Sequence, residues 1–148
     1  MKMIIADKDE RKIKMFKKLI LTMTMTMAIL LSGCAAIEEL KAKDEQNKLD
    51  AQNVPICKTD QECKMAMSKA YAWVSQNCSM KVQIVNDYAI ETFNATKSYQ
   101  VGCSVVKSAN ADGSYSLVLS SPCPYGGCLP EYWRQANFNR EVSAVLPK

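Results

Sequence analysis

Cysteine is the residue type with the most chemistry to offer in this chain of 148 residues. Thiols can pair as disulfides, bind zinc as thiolates or exchange disulfides, and the redox compartment decides among these fates. Histidine is absent. Its absence removes the usual general base near neutral pH, the Ser/His and Cys/His nucleophile pairs, and the commonest transition-metal ligand. Six of the seven cysteines lie after residue 50, at Cys57, Cys63, Cys78, Cys103, Cys123 and Cys128.

The seventh cysteine, Cys34, follows a positive segment and an uncharged run. The basic segment Met15–Lys18 precedes Leu19–Leu31, thirteen residues without a charge. A transmembrane helix needs about 20 apolar residues, so this run suits the apolar region of a cleaved signal peptide better than a membrane span. The residues before Met15 carry three acids, which fit a signal peptide poorly, and we predict that translation starts at Met15.

The apolar run ends in Leu31-Ser32-Gly33-Cys34, which resembles the lipobox of bacterial lipoproteins. The resemblance implies that a peptidase cuts between Gly33 and Cys34, and that Cys34 receives a diacylglyceryl group and an acyl chain such as palmitate. Two or three chains on one residue hold a protein at a membrane lastingly, whereas one chain binds marginally. The alternative is that Cys34 is an ordinary small residue at a conventional cleavage site or within a membrane span.

The residues after the lipobox cysteine indicate a destination. In lipoproteins of diderm bacteria an aspartate there commonly signals retention in the inner membrane, and this chain has Ala35 and Ala36. For a diderm host, the resemblance therefore implies a lipid-anchored protein of the cell envelope, on the periplasmic face of the outer membrane.

The chain divides into three predicted segments. These are a signal peptide over residues 1–33, a lipidated N-terminus with a flexible tether over 34–56, and a globular disulfide-bonded domain over 57–148. A tether that can be partly helical is predicted because residues 38–53 are rich in charge and show no repeating apolar face. Residues 1–33 hold seven of the nineteen basic and three of the fifteen acidic residues, so the remainder is formally neutral. A neutral body lacks the basic surface that nucleic-acid binding requires.

Export would place the six remaining cysteines where thiols oxidise, so three disulfides are the leading inference. Cys123 and Cys128 flank a segment that can turn back, and Cys57 lies just outside the helix predicted for Cys63; both arrangements favour local bridges. Elimination leaves the third pair. The predicted pairs are Cys57–Cys63, Cys78–Cys103 and Cys123–Cys128. A zinc site of four thiolates and a thiol–disulfide oxidoreductase remain alternatives, although the sequence has no Cys-x-x-Cys.

The sequence of the domain contains patterns that predict helices and strands. Thr59 and Glu62 form a capping-box pattern, so a helix should begin near Asp60, and one of its faces carries Cys63, Ala66, Met67, Ala70, Val74 and Cys78. Period-two patterns predict strands at Met80–Ile84, Gln100–Lys107 and Ser114–Ser120, with a short extended segment at Ile90–Phe93. A second helix should start at Pro130. We predict an α+β domain of order α-β-β-β-α, with an antiparallel sheet covered by helices.

The body is also similar to small uncharacterised proteobacterial lipoproteins that pair an aromatic-Val helix with a Lys-x-Gln-Ile strand. Here these residues are Trp73-Val74 and Lys81-Val82-Gln83-Ile84. The similarity extends through Asp87, Ile90, Thr92 and Phe93 to the cysteines around Gly126-Gly127, and it covers much of residues 57–145. It implies no activity.

Few other residues suggest a site. The segment between Cys123 and Cys128 would present Tyr125, Gly126 and Gly127 as a preorganised binding loop, with a purely structural connector as the alternative. Asp87 and Glu91 could be imagined as an acid/base pair, but no positioned partner is evident and a solvated turn explains them better. The double glycine lacks the Lys-Ser/Thr of a phosphate loop. We therefore expect no catalytic residues, no metal, no cofactor, and neither nucleotides nor nucleic acids as ligands.

These observations favour a non-enzymatic binding or structural module, joined to the membrane by covalent lipid and contacting another envelope protein through a sheet edge or the disulfide-closed loop. Two alternatives remain open. One is a periplasmic inhibitor of a cell-wall lytic enzyme. The other is an envelope glycan enzyme that uses two carboxylates, which would have to lie about 5 to 9.5 Å apart.

Overall fold

A computed structural model describes residue 17 and residues 37–147. The chain divides into two compact units, Met1–Lys43 and Asp44–Lys148. In the first unit, residues 37–43 are helical and exposed. The predicted start at Met15, the cleavage site at Gly33 and the lipidation site at Cys34 lie outside the described residues.

In its described residues, the second unit contains three helices and a five-stranded antiparallel sheet. The elements are α1 (37–52, of which 44–52 belong to this unit), β1 (Ile56–Cys57), α2 (Asp60–Asn77), β2 (Val82–Val85), β3 (Ala89–Thr92), β4 (Ser104–Ala109), β5 (Tyr115–Ser120) and α3 (Glu131–Ser143). The strands lie in the order β1-β5-β4-β3-β2. This confirms the predicted α+β class and its order of helices and strands. Strand β3 corresponds to the predicted extended segment, and β1 and α1 are additional.

Helix α2 begins where the sequence predicts because Thr59 and Glu62 cap its N-terminus reciprocally. The backbone N–H of Glu62 donates to Thr59 Oγ1 at 3.2 Å, and Glu62 Oε2 accepts from the backbone N–H of Thr59 at 3.4 Å. The helix ends at Asn77, where the backbone turns extended. Its predicted apolar face is confirmed, since the buried residues of α2 are Cys63, Ala66, Ala70, Trp73 and Val74.

Strands β4 and β5 form the predicted hairpin. Val105 pairs with Leu119 and Lys107 with Leu117, so the buried residues Val105, Leu117 and Leu119 share one face of the sheet. The connecting turn is closed by a hydrogen bond from Gly113 N–H to the Asn110 carbonyl at 3.2 Å. Gly113 has φ +84, a conformation that glycine adopts without the Cβ clash. The Asp-Gly pair therefore acts as the turn chemistry predicts.

The hydrophobic core lies between one face of the sheet and the helices α2 and α3. Phe138 of α3 is fully buried, and the ring of Trp73 meets it edge-on with centroids 5.3 Å apart. The inward residues of the central strands are Ile90, Val105, Leu117 and Leu119. On the opposite face, Val106 and Val118 are 42% and 45% exposed. In the described part of the chain, the helices thus cover a single face of the sheet.

The three disulfides have the predicted pairing, Cys57–Cys63, Cys78–Cys103 and Cys123–Cys128. Each bond joins different parts of the fold. The first ties β1 to the first turn of α2, the second ties the end of α2 to the chain entering β4, and the third closes the loop between β5 and α3. Two of the disulfides therefore crosslink α2 to the sheet, and the third closes a loop on itself.

Helix α1 falls within the predicted tether and packs onto α3 through polar contacts. Asp44 Oδ1 accepts hydrogen bonds from Tyr132 Oη at 2.6 Å and Trp133 Nε1 at 2.9 Å. At the other end of α1, the buried Asn139 side chain donates to the Asp50 and Ala51 carbonyls at 2.9 and 3.0 Å. The last carbonyls of a helix have no partner within it, so Asn139 satisfies groups that would otherwise be unpaired. The tether as a whole stays a prediction, because the end that is predicted to carry the lipid lies outside the described residues.

The docking of α1 should weaken in acid. Hydrogen bonds from Tyr132, Lys48 and Trp133 lower the pKa of Asp44 to about 2 from an ordinary value of 3.8. A carboxyl group with a lowered pKa stabilises the fold above its ordinary pKa, and loses that contribution as the pH falls through the lowered value. The melting temperature of the Asp44→Asn variant should therefore lie below that of the wild type by a constant margin above about pH 4, and the margin should shrink toward pH 2.

Thermal melts of both proteins between pH 6 and pH 2 measure this margin. The exposed carboxylate Glu39 supplies the control, and Glu39→Gln should follow the wild type at every pH. A margin for Asp44→Asn that stays constant down to pH 2 would show that the ionised carboxylate does not hold α1.

Candidate functional site: the tyrosine loop pair

Two loops lie side by side at one end of the sheet, and we call them together the tyrosine loop pair. The closed loop is Cys123–Cys128, which contains the predicted binding residues Tyr125, Gly126 and Gly127. The companion loop is Thr96–Gln100, which the sequence did not single out. The closed loop turns back through two glycines with positive φ, +75 at Gly126 and +85 at Gly127, and the disulfide then joins its ends.

The companion loop is held by one side chain. Gln100 Oε1 accepts hydrogen bonds from the backbone N–H groups of Thr96 and Lys97, both at 3.0 Å. Tyr99 lies at the tip with φ +63. Positive φ is unusual for any residue with a side chain and a marked outlier for a bulky one. Such strain persists only where the surroundings fix the backbone, and it is concentrated at functional sites.

The surroundings that fix Tyr99 belong to the closed loop. Tyr99 N–H donates to the Gly126 carbonyl at 2.9 Å, and Ser98 Oγ donates to the Tyr125 carbonyl at 3.2 Å. The Tyr99 ring lies directly against Gly127, because a Cβ added to this glycine would stand 2.4 Å from Tyr99 Cε1. The two loops are therefore one connected structure with two aromatic side chains.

The base of the closed loop is fixed to α3. Arg134 Nη2 donates to the Ser121 carbonyl at 2.6 Å and Nη1 donates to the Leu129 carbonyl at 2.7 Å, so one guanidinium spans the loop on both sides. Glu131 Oε1 accepts from Ser121 N–H at 2.5 Å. Partial burial lowers the pKa of Arg134 from its ordinary value, and the charge of Glu131 offsets part of this effect. The closed loop is therefore held to α3 on both of its sides.

The rings at the top of the loop pair face solvent. Tyr99 is 74% exposed and Tyr125 is 57% exposed. Each offers a flat apolar surface and a hydroxyl that can donate or accept a hydrogen bond.

No known protein family model and no curated protein matches this chain.

The acidic residues Asp87 and Glu91, which the sequence suggests as an acid/base pair, lie apart in the structure. Asp87 borders a cavity beside α2, whereas Glu91 neighbours the buried Ile90 on β3 and so faces the opposite side of the sheet. The two carboxylates of the suggested acid/base pair are thus not brought together.

In residues 17 and 37–147, Cys, Asp and Glu side chains form no group of three or more that could hold a metal ion. Every helix in these residues is too short or too polar to traverse the hydrocarbon of a bilayer.

The two glycines of the closed loop should respond differently to alanine. Both have positive φ, which costs a residue with a Cβ about 1 to 2 kcal/mol. Only at Gly127 would the new methyl group also strike the Tyr99 ring, since nothing lies within 4 Å of a Cβ at Gly126. Gly127→Ala should therefore shift the NMR signals of Tyr99 and destabilise the protein more than Gly126→Ala does.

Aromatic proton chemical shifts and melting temperatures of the two variants make this comparison, with Gly126→Ala as the matched control. Equal shifts of the Tyr99 signals in both variants would contradict the contact between Tyr99 and Gly127.

Proposed function

We propose that this protein is a lipid-anchored component of the bacterial cell envelope that binds another envelope protein through the tyrosine loop pair, as a binding module without catalytic activity. The observation that carries the proposal is the pair of exposed tyrosines, Tyr99 and Tyr125, on two loops that hydrogen bonds join and of which one is closed by a disulfide. Rigid aromatic side chains bind at low entropic cost, because little freedom remains to be lost.

Location outside the cytoplasm is supported by the cysteine chemistry. All six cysteines that follow the lipobox are paired, and such disulfides persist in the oxidising compartments beyond the inner membrane. The resemblance of Leu31-Ser32-Gly33-Cys34 to a lipobox supplies the anchor, and the neutral charge of the remaining chain gives no electrostatic reason to bind nucleic acid. A periplasmic position at the outer membrane is part of the proposal for a diderm host.

Metabolic labelling with an alkyne-bearing palmitate tests the anchor. We expect the wild-type chain to incorporate label and to sediment with membranes, and the Cys34→Ala variant to do neither. Blocking the lipoprotein peptidase should leave a precursor, and its mass would show whether translation starts at Met15. An unlabelled wild-type chain in the soluble fraction of intact cells would overturn the lipid anchor.

Site-specific photocrosslinking in intact cells tests the partner surface. A photoreactive amino acid at Tyr99 or at Tyr125 should capture the same protein, because the two rings belong to one surface. The control position is Tyr71 on α2, which is 46% exposed and lies outside the loop pair. Adducts of equal yield at Tyr71, or none at either loop position, would overturn the assignment of the loop pair.

Inhibition of a cell-wall lytic enzyme is the second candidate, and the same geometry favours it. A rigid, disulfide-closed loop with a protruding aromatic residue is suited to enter an enzyme cleft. The purified protein should then lower lysozyme activity, and a Tyr99→Ala/Tyr125→Ala variant should lower it less. Undiminished lysozyme activity at saturating protein would remove this enzyme as a target while leaving the crosslinking test unaffected.

A further inference from the structure

A second feature of the fold, separate from the tyrosine loop pair, has the properties of a small-molecule site. A cavity of about 280 Å³ lies between the N-terminal half of α2, the turn between β2 and β3, and the end of β4. Its floor includes Cys63 and Met67, and its charged border consists of Asp60, Lys64, Asp87 and Lys107. Pockets that hold small ligands occupy roughly 300 to 1,000 Å³, so this cavity suits a ligand at the small end of that range.

The walls of the cavity are fixed before any ligand arrives. The disulfide to Cys57 and the capping box hold the first turn of α2. On the facing wall, Asn86 Oδ1 accepts hydrogen bonds from the N–H groups of Tyr88 and Ala89, both at 2.8 Å, and shapes the turn that carries Asp87. Lys107 N–H donates to the Tyr88 carbonyl at 2.8 Å and joins this turn to β4. A preformed site binds at lower entropic cost than a mobile one.

Lys107 is positioned by aromatic rings. Its Nζ lies 4.7 Å from the ring centroid of Tyr88 and 4.9 Å from that of Tyr115, distances typical of cation–π attraction. Ring faces orient an ammonium group without neutralising its charge. The Lys107 ammonium therefore lies at the border of the cavity without a carboxylate partner in the part of the chain that the structure describes, where it can pair with an anionic group of a ligand.

The four charged groups around the cavity are not paired with one another. The ion pairs found among the described residues involve Lys48, Lys69 and Arg140, and none of the four border residues takes part. Ammonium and carboxylate groups that converge on one cavity and remain unpaired present both signs of charge at once. A ligand with a single charge would satisfy one sign and face repulsion from the other.

We infer that this cavity binds a small zwitterion of amino-acid or dipeptide size. Its carboxylate pairs with Lys64 and Lys107, its ammonium pairs with Asp60 and Asp87, and its short aliphatic portion lies against Met67 and the Cys57–Cys63 disulfide. Binding of such a ligand goes beyond the proposed recognition of an envelope protein, and it requires neither the lipid anchor nor the tyrosine loop pair.

Three matched probes test the charge requirement by isothermal titration calorimetry on the full oxidised chain in detergent. The probes are L-alanyl-L-alanine, its N-acetyl derivative, which lacks the ammonium, and its C-terminal amide, which lacks the carboxylate. We expect saturable binding of the zwitterion and at least about tenfold weaker binding of both blocked forms, since a hydrogen bond to a charged group contributes about 1.5 to 3 kcal/mol. Undetectable binding of the zwitterion, or a blocked form that binds as tightly, overturns the inference.

Two variants assign the charges within the site. Lys107→Met should reduce the preference for the zwitterion over the amide, because only Lys64 then remains for the carboxylate, and should leave the preference over the acetyl derivative unchanged. Asp60→Asn should reduce the preference over the acetyl derivative and leave the preference over the amide unchanged. Lys81→Met, on an exposed lysine outside the cavity, should retain both preferences. Lys107→Arg keeps the positive charge and should retain both preferences. It therefore separates loss of the charge from loss of the packing around Lys107. If the Met and Asn variants keep both preferences, the zwitterion binds elsewhere and the assignment is wrong.

Discussion

Replacing Phe138 with alanine should lower the free energy of unfolding by about 3 to 5 kcal/mol. The Phe138 side chain is fully buried and contacts Trp73 edge-on, so its removal loses both transfer free energy and dispersion contacts and leaves a cavity between α2 and α3. Single domains are stable by only about 5 to 15 kcal/mol, and a loss of this size would unfold a substantial part of the molecules at elevated temperature. Urea denaturation followed by tryptophan fluorescence measures the change.

The chain provides a matched control in Phe93, which is 53% exposed. Phe93→Ala makes the same chemical change at a position that is already half in water, and surface substitutions commonly alter stability by less than about 0.5 kcal/mol. The prediction concerns the difference between the two variants. Similar losses for Phe138→Ala and Phe93→Ala would mean that the core does not depend on the contact between α2 and α3.

The parts of this fold that can be predicted from the sequence are those determined by interactions between residues close together in the chain. The capping box before Asp60 and the Asp112-Gly113 turn each act within a few residues of the chain, and the structure contains both. The disulfide pairing is predictable for a related reason. Two of the three pairs are close in sequence, and the remaining two cysteines then have only one another as partners.

Long-range polar contacts leave no comparable pattern in the sequence. The packing of α1 on α3 depends on Asp44 and Asn139, which are far apart in the chain and are polar, so an apolar periodicity could not reveal it. Strand β1 is only two residues long, too short to show alternation. Val145 continues the helical spacing of the buried Phe138 and Val142, and yet it is exposed, because α3 ends at Ser143.

In the candidate sites too, residues with a local signal can be predicted from the sequence and residues brought together by the fold cannot. Tyr125 and its glycines are recognisable because they stand between two cysteines. Tyr99 gives no such signal, since positive φ is ordinarily read from glycine, asparagine or aspartate, and its backbone is fixed by a loop more than twenty residues away in the chain. The residues that border the zwitterion cavity come from α2, a turn and β4. Only the folded topology brings Lys107 near Asp60, so no spacing in the sequence predicts the cavity.

Removing the Cys78–Cys103 bond should be the most damaging loss of a disulfide in this protein. The bond closes a loop of 25 residues, and the loop-entropy relation assigns it about 3.5 kcal/mol of stabilisation through restriction of the unfolded chain. The Cys123–Cys128 bond closes a loop of 5 residues, for which the same relation gives about 2 kcal/mol. The double variant Cys78→Ala/Cys103→Ala should therefore unfold at a clearly lower urea concentration than Cys123→Ala/Cys128→Ala.

The same two variants separate stability from binding. The Cys78–Cys103 bond ties α2 to the sheet, whereas the Cys123–Cys128 bond shapes the surface that carries Tyr125. Molecules of the first variant that remain folded should therefore crosslink to the partner from Tyr125 as the wild type does. The second variant should lose most of this crosslinking while remaining the more stable of the two. If the more stable variant also retained its crosslinking, the disulfide would not be needed to organise the tyrosine loop pair, and the preorganisation on which the proposed recognition rests would be absent.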